Sequence, residues 1–113
     1  MDCLFCKIVA GDIPADIIYQ DDQVLAFRDI SPQAPQHFLV IPKRHIATLN
    51  ATEAADEPLL GHITRIAAML AGEQGMAEDG YRVTMNCNEM GGQTVYHIHM
   101  HVLGGRQMSW PPG

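Results

Sequence analysis

The sequence predicts an α+β fold, an antiparallel sheet of about five strands with one long helix and a short N-terminal helix. Short segments that are apolar, or that alternate between apolar and polar residues, recur along the chain as strands do. One longer segment places apolar residues at helical spacing. With 113 residues, 47% of them hydrophobic, the chain is long enough for a single domain, residues 1–113, with a buried core.

Three strands are predicted in the first half of the chain. Residues 16–20 and 24–27 form the first two, and the polar residues 21–23 join them as a hairpin. Residues 37–41 form the third strand, which ends at Pro42 because proline cannot donate a hydrogen bond to a neighbouring strand.

The long helix is predicted to follow residues 50–53, which have the spacing of a capping box. Apolar side chains then recur every three or four positions and give the helix one buried face: Leu59, Ile63, Ile66 and Leu70. His62 and Arg65 fall outside this face and are predicted to be solvated.

Two further strands complete the predicted sheet. Residues 81–88 alternate polar with apolar side chains, and Cys87 falls on the apolar side as a small core residue. Residues 97–103 alternate three histidines with apolar residues. Residues 104–113 form a C-terminal tail, which cannot be helical because two prolines lie near its end.

The alternation within residues 97–103 puts three imidazoles on one face of a strand, about 7 Å apart, at His97, His99 and His101. Such a cluster can bind a metal, move protons or present a neutral imidazole as a nucleophile. A half-exposed strand with a histidine-rich polar face is the plain alternative. The glycine-rich residues 91–96 lead into the cluster and offer N–H groups, with Gln93 and Thr94 as further donors. Together they predict a phosphate pocket with a nucleophile at its floor.

The charge pattern argues against a nucleic-acid partner. The net charge is −6 and the seven Lys and Arg residues are scattered, so no basic stripe exists to follow a phosphate backbone. A single nucleotide needs only a few local donors. No signal-peptide pattern is found and no apolar run approaches the roughly 18 residues of a membrane span, which predicts a cytoplasmic protein with no membrane partner.

Residues 97–103 resemble the signature of the histidine triad (HIT) superfamily of nucleotide hydrolases and transferases. The resemblance extends to residues 27–35, 37–42 and 104–113, which are similar to the Hint branch of that superfamily. It implies the α+β HIT fold outlined above, paired into a two-fold homodimer.

The resemblance also implies an activity, that of a purine nucleoside phosphoramidase. The expected substrates are adenosine 5′-phosphoramidates, cleaved at the P–N bond to release AMP, and aminoacyl-adenylates. The reaction would pass through a covalent nucleotidyl-histidine without a catalytic metal. Two alternatives stay open: a dinucleoside polyphosphate hydrolase, as in the Fhit branch, and a nucleotide-binding regulator or adaptor.

Three histidines match the catalytic positions of the family. His99, the middle member of the triad, matches the nucleophile. His101 resembles the residue that contacts the phosphate and the leaving group. His37 resembles a further histidine beside the nucleophile, and the resemblance implies a proton relay to the leaving amine.

The same resemblance implies the nucleotide-binding positions, with ordinary core or surface residues as the alternative for each. Asp29 matches the carboxylate that accepts both ribose hydroxyls. The phosphate lining is matched by Asn86, Gly92, Gln93 and Thr94. The apolar purine slot is matched by Phe5, Ile8, Ile13, Phe27 and Ile30. Trp110 would shape the leaving-group pocket, while Arg28 departs from a close relative's histidine and either stacks on the base or faces solvent.

Cys3 and Cys6 form a C-x-x-C pair, which supplies two thiolates to Zn²⁺ but leaves two more ligands to be found. His45 and His97 are the candidates, since similar family members with this pair hold structural zinc in this manner. Unmetallated thiols and a redox pair are the alternatives. A redox pair normally opens a helix after a buried strand, and nothing before Cys3 could form that strand.

Overall fold

The computed structural model describes residues 2–113, so only the first residue of the predicted domain lies outside it. The elements in chain order are α1 (Leu4–Ala10), β1 (Ile17–Gln20), β2 (Val24–Arg28), β3 (Gln36–Pro42), α2 (Glu57–Glu73), β4 (Tyr81–Thr84), α3 (Asn88–Gly91) and β5 (Met100–Gly104). Two short 3₁₀ turns, Leu49–Ala51 and Ala54–Asp56, precede α2. Within residues 2–113 no helix is both long and apolar enough to span a bilayer.

The five strands form one antiparallel sheet in the order β1-β2-β3-β5-β4. The predicted hairpin joins β1 to β2, and one carboxylate oxygen of Asp21 accepts hydrogen bonds from the N–H groups of Gln23 and Val24. In the centre of the sheet, Leu39 of β3 lies opposite His101 of β5. The predicted α+β fold and antiparallel sheet are confirmed.

Each face of the sheet is covered by a different helix, because alternate side chains of a strand point to opposite faces. The α2 face buries Val24, Ala26, Phe38, Val40, Ile98 and Val102. The α1 face buries Leu25, Phe27, Leu39 and Ile41 against the side chains of α1. The histidines therefore lie on the α1 side, and the apolar residues between them belong to the α2 core.

The start of the long helix differs from the prediction. The capping box is formed by Glu53 and Asp56 rather than by residues 50–53, with each side chain accepting from the other residue's N–H. Residues 49–51 form a separate 3₁₀ turn that begins after Thr48. This box caps the 3₁₀ turn Ala54–Asp56, which leads directly into α2. The predicted apolar face is confirmed, with Ile63, Ile66 and Leu70 buried.

Two strand boundaries were also predicted wrongly. The strand predicted over residues 81–88 ends at Thr84, and α3 begins at Asn88, which has a positive φ of 61°. Cys87 precedes α3 and is half-buried, outside both cores. The last strand begins at Met100 rather than at residue 97. Before it, Ile98 donates its N–H to Ile46 instead of to a ladder partner on β3.

Candidate active site

A cavity of about 250 Å³ opens on the α1 side of the sheet. Its walls are mostly apolar, and three of its polar groups lie together as its polar end: Asp29, His99 and His101. Of the residues predicted to form the site, the cavity is lined by Phe5, Ile8, Ile13, Phe27, Asp29, Ile30, Thr94, His99 and His101. The structure thus brings together two triad histidines, the predicted ribose ligand and the whole predicted purine slot.

Sequence reasoning missed part of the wall. Leu4, Pro14, Ala15, Leu39 and Val95 also line the cavity. Leu39 could have been found, because it alternates with Phe38 and Val40 along β3 and so must face away from α2. Pro14 and Ala15 lie in the connection between α1 and β1, where no periodic signal exists.

His99 is 6% exposed and sits at the polar end of the cavity. Its Nδ1 lies 2.9 Å from the main-chain oxygen of His97, and because a carbonyl oxygen only accepts, Nδ1 carries the proton. The neutral ring therefore keeps a lone pair on Nε2. The ring of Phe5 meets that of His99 edge-on, with centroids 5.1 Å apart, and holds its orientation. This arrangement suits a nucleophile, because the lone pair lies on the ring nitrogen that the His97 carbonyl does not contact.

His37 and His101 lie beside His99 and are linked to each other. His37 Nε2 and His101 Nδ1 are 2.9 Å apart, and the N–H of Gln33 donates to His37 Nδ1 at 3.0 Å. Burial lowers the pKa of His37, an effect that Asp29 opposes. Burial, with the neighbouring His99 and His37, lowers the pKa of His101 to about 4. Both rings are neutral near pH 7.

Asp29 follows β2 and borders both the cavity and His37. One carboxylate oxygen accepts the N–H of Ser31 at 2.8 Å, and the other lies 3.5 Å from His37 Nε2. The side chain is 19% exposed, so lone pairs remain available to hydroxyl donors in the cavity. Asp29, His37 and His101 bring three metal-ligating atoms together, but the His37–His101 hydrogen bond and the 3.5 Å contact between Asp29 and His37 already account for this arrangement.

The glycine-rich loop is held by the side chain of Gln93, which is 6% exposed. Its oxygen accepts the N–H of Asn88, and its amide nitrogen donates to the main-chain oxygens of Ala47 and Val95. Both amide protons are therefore used within the protein, so the predicted side-chain donation from Gln93 to a phosphate is replaced by a loop-holding role. Gly92, with a φ of 85°, ends α3 and turns the chain toward Thr94.

Besides His37, Gly92 and Gln93, which stand behind the wall, three more predicted positions do not line the cavity. Asn86 is half-buried behind the loop, next to Gly91. Trp110 is 82% exposed and does not line the cavity. Arg28 points to the α2 face, where its guanidinium donates to the Gln74 side chain at 2.9 Å. Of the two alternatives for Arg28, base stacking does not agree with this position, because alternation along β2 sends the side chain to the opposite face from Phe27. There it stays 40% exposed to solvent and also lies 3.4 Å from Asp16.

Cys3, Cys6, His45 and His97 converge beneath the N-terminus of α1, and their ligand atoms all lie within 4.8 Å of one another. Cys3 Sγ to His97 Nδ1 is 3.4 Å, and Cys6 Sγ to His45 Nδ1 is 3.3 Å. The two ring nitrogens are 3.3 Å apart. Tetrahedral Zn²⁺ with bonds of about 2.0 Å to nitrogen and 2.3 Å to sulfur separates its ligand atoms by roughly 3.3–3.8 Å. The geometry fits the ion.

The donor chemistry of this cluster also fits a metal. His97 is fully buried, and its Nε2–H donates to the main-chain oxygen of Pro42 at 2.8 Å, which leaves the Nδ1 lone pair facing the cysteines. Burial lowers the pKa of His97, so the ring stays neutral and able to ligate. Burial, together with the Cys3 thiol, raises the pKa of Cys6. A bound cation reverses that effect by stabilising thiolates.

The comparisons with known proteins agree with this geometry. A family model described as HIT domain matches residues 10–108. The chain is 56% identical over 107 residues to the purine nucleoside phosphoramidase of Escherichia coli (strain K12), covering 95% of this chain and 90% of that protein. The crystal structure of a HIT family hydrolase from Legionella pneumophila Philadelphia 1 matches with a TM-score of 0.98 and 57% identity, over 99% of this chain and all of that one.

A further solved structure bears on the cysteine–histidine cluster. It is a Zn-bound histidine triad family protein from Mycobacterium smegmatis, with a TM-score of 0.80 and 38% identity. The match covers 94% of this chain and 76% of that one.

Proposed function

The chain belongs to the HIT domain family, and from this premise we propose that it is a purine nucleoside phosphoramidase. Its substrates would be adenosine 5′-phosphoramidates, cleaved at the P–N bond to give AMP and an amine. The observation that carries the proposal is the hydrogen bond from His99 Nδ1 to the His97 carbonyl, which leaves the lone pair on Nε2 at the polar end of an apolar cavity. The name of the E. coli relative supports the same substrate class.

His99 acts as the nucleophile in this proposal. Its Nε2 lone pair forms a bond to the α-phosphorus while the bond from phosphorus to the leaving nitrogen breaks, and that nitrogen gains a proton to leave as an amine. The product on the enzyme is a nucleotidyl-histidine, which water then cleaves to AMP and free His99. The same attack would release an amino acid from an aminoacyl-adenylate, where the leaving group is a carboxylate.

His101 and the glycine-rich loop hold the phosphate. His101 lines the cavity with its ring centroid 4.9 Å from that of His99, so a phosphorus atom bonded to His99 lies within its reach. Thr94 also lines the cavity, and its hydroxyl would donate to a second phosphate oxygen. Electrostatic stabilisation of this kind favours the transition state, because negative charge builds up on the phosphoryl oxygens.

Recognition of the nucleoside divides between the ends of the cavity. Asp29 would accept the two ribose hydroxyls, and a purine would occupy the apolar slot between α1 and β2. Its inner wall is formed by Phe5, Ile8 and Phe27, while Ile30, 94% exposed, stands at the rim. A flat apolar slot suits a purine because ring burial contributes most of the binding free energy.

Outside the reaction, we propose that Cys3, Cys6, His45 and His97 hold structural Zn²⁺. The ion would fix the start of α1, which carries one wall of the cavity, and would supply no catalytic step. A two-fold homodimer and a cytoplasmic location also stay predictions. In such a dimer Trp110, exposed here, would gain a neighbour and could shape a leaving-group pocket.

The deciding experiment measures AMP release from adenosine 5′-phosphoramidate by the intact protein, by His99→Ala and by a matched control, His62→Ala. His62 is a histidine on α2 that contacts Asp21 and lies outside the cavity. We expect AMP release by the intact protein and the control, and none by His99→Ala. Tight AMP binding without hydrolysis by the intact protein would instead favour a nucleotide-binding regulator.

A further inference from the structure

The hydrogen bonds behind His101 determine where its proton lies. The main-chain N–H of Gln33 donates to His37 Nδ1 at 3.0 Å, so this nitrogen carries a lone pair. An imidazole ring must keep at least one proton, which therefore lies on His37 Nε2. That N–H faces His101 Nδ1 at 2.9 Å, so His101 Nδ1 accepts and the proton of the neutral His101 ring lies on its other nitrogen, Nε2.

We propose that His37 is a positioning residue that serves as a fixed hydrogen-bond donor to His101, and that the main-chain N–H of Gln33 sets its direction. The inference rests on the proposed function, since it describes how the same site holds the phosphate. His101 then presents an N–H beside the bare Nε2 of His99. The N–H of His101 can then donate to a phosphoryl oxygen while the Nε2 lone pair of His99 attacks phosphorus.

This arrangement replaces the proton relay that the resemblance implies for His37. To pass a proton on from Nε2, His37 would have to gain one at Nδ1, where the Gln33 N–H already points. Without that gain, loss of the Nε2 proton would leave an imidazolate, which is inaccessible near neutral pH. The proton of the leaving nitrogen then comes from water at the open mouth of the cavity.

The charged and titratable groups around the pair are consistent with this reading. Asp29 is the carboxylate nearest to His37 Nε2, at 3.5 Å, and His99 is the other imidazole against His101. The carboxylate favours a proton on the His37 Nε2 edge, as the Gln33 contact requires. Burial lowers the pKa of both rings of the pair, so neither gains the second proton that a relay would need.

Two amide variants of His37 separate a fixed donor from a proton carrier. In His37→Gln the amide nitrogen reaches the position of Nε2 and can donate to His101, whereas in His37→Asn the side-chain oxygen replaces Nδ1 and no donor reaches His101. Neither amide can relay a proton. We expect His37→Gln to keep kcat within about tenfold of the intact protein and His37→Asn to lose about 100-fold, the scale of one lost transition-state contact. Equal, severe losses in both would overturn the proposal and restore the relay.

The tautomers themselves can be read without substrate. We expect ¹⁵N spectra of the imidazole rings to show a bare Nδ1 and a protonated Nε2 for both His37 and His101 in the intact protein at pH 7. A protonated Nδ1 on either ring would overturn the proposal even if the variants failed to fold.

The role of Gln33 has its own matched pair. Gln33→Pro removes the N–H, and Gln33→Ala keeps it while shortening an exposed side chain. We expect His37 to retain its tautomer in Gln33→Ala and to lose it, or populate both forms, in a folded Gln33→Pro. An unchanged tautomer in Gln33→Pro would refute the part assigned to Gln33.

If the intact protein shows the expected tautomers but releases no AMP, the proposed function fails while the hydrogen-bond direction stands.

Discussion

Replacing Phe5 by alanine tests the link between α1, the cavity and the nucleophile. Phe5 is 4% exposed, and its ring packs edge-on against Phe27 at 5.4 Å and against His99 at 5.1 Å. Truncating a buried phenylalanine to alanine costs about 3–5 kcal/mol of unfolding free energy. Alanine is the better helix former by about 0.5 kcal/mol, which leaves a net loss of about 2.5–4.5 kcal/mol.

The assay is urea unfolding followed by circular dichroism, with every variant carrying the same amount of Zn²⁺. Leu4→Ala is the matched control, because Leu4 also lies between the two cysteines but is 46% exposed. We expect the control to lose less than about 1 kcal/mol, as partly exposed side chains do. Similar losses for the two variants, or a loss under about 1 kcal/mol for Phe5→Ala, would refute the packing argument.

The same Phe5→Ala variant has a kinetic consequence. Losing the ring removes one wall of the purine slot and the edge-on contact that orients His99. We therefore expect KM for adenosine 5′-phosphoramidate to rise and kcat to fall in the folded variant, measured at a temperature where both proteins are native. An unchanged KM would show that the base does not occupy this slot.

Other substitutions and conditions give further tests. Arg28→Ala should leave KM for purine substrates unchanged, because its guanidinium contacts Gln74, just after α2, on the opposite face from the cavity; a change in base preference would contradict this placement. Gln93→Ala should lower the unfolding free energy by about 1–3 kcal/mol and reduce kcat/KM, since three main-chain groups lose their partner; full activity would argue against a loop-holding role. Burial lowers the pKa of His101 to about 4 in the folded protein. As the pH falls below about 6.5, this imidazole is therefore protonated in the unfolded chain before it is protonated in the folded protein. The unfolding free energy should therefore decrease from pH 7 to pH 5, by on the order of 2 kcal/mol for this ring, and the decrease should be smaller in His101→Gln; an equal slope in the variant would contradict the assignment.

The fold was largely predictable because its signals are periodic. The strands predicted over residues 24–27 and 37–41 agree with β2 and β3 to within one residue at each end. Element ends were less predictable. The capping box at Glu53 and the first residue of β5 depend on which backbone groups find partners, and Ile98 found one on Ile46, far along the chain.

The candidate site shows the same division. The residue types of the triad, the C-x-x-C pair and Asp29 were visible in the sequence, and the structure collects them in two neighbouring clusters. Their hydrogen-bond roles were not visible. Gln93 reads as a phosphate donor in a glycine-rich loop, yet its amide is already used by Asn88, Ala47 and Val95.

By itself, then, the sequence determined the family, the faces of the strands and the set of reactive side chains, because these depend on composition and on the spacing of near neighbours. Only the tertiary structure decided which partner each polar group has. Cys6 meets His45 and the Gln33 N–H meets His37 because packing of the sheet and its two helices brings separate loops together. A histidine's tautomer follows from those partners, so the tautomers of His99 and His101 depend on the fold and not on the motif that contains them.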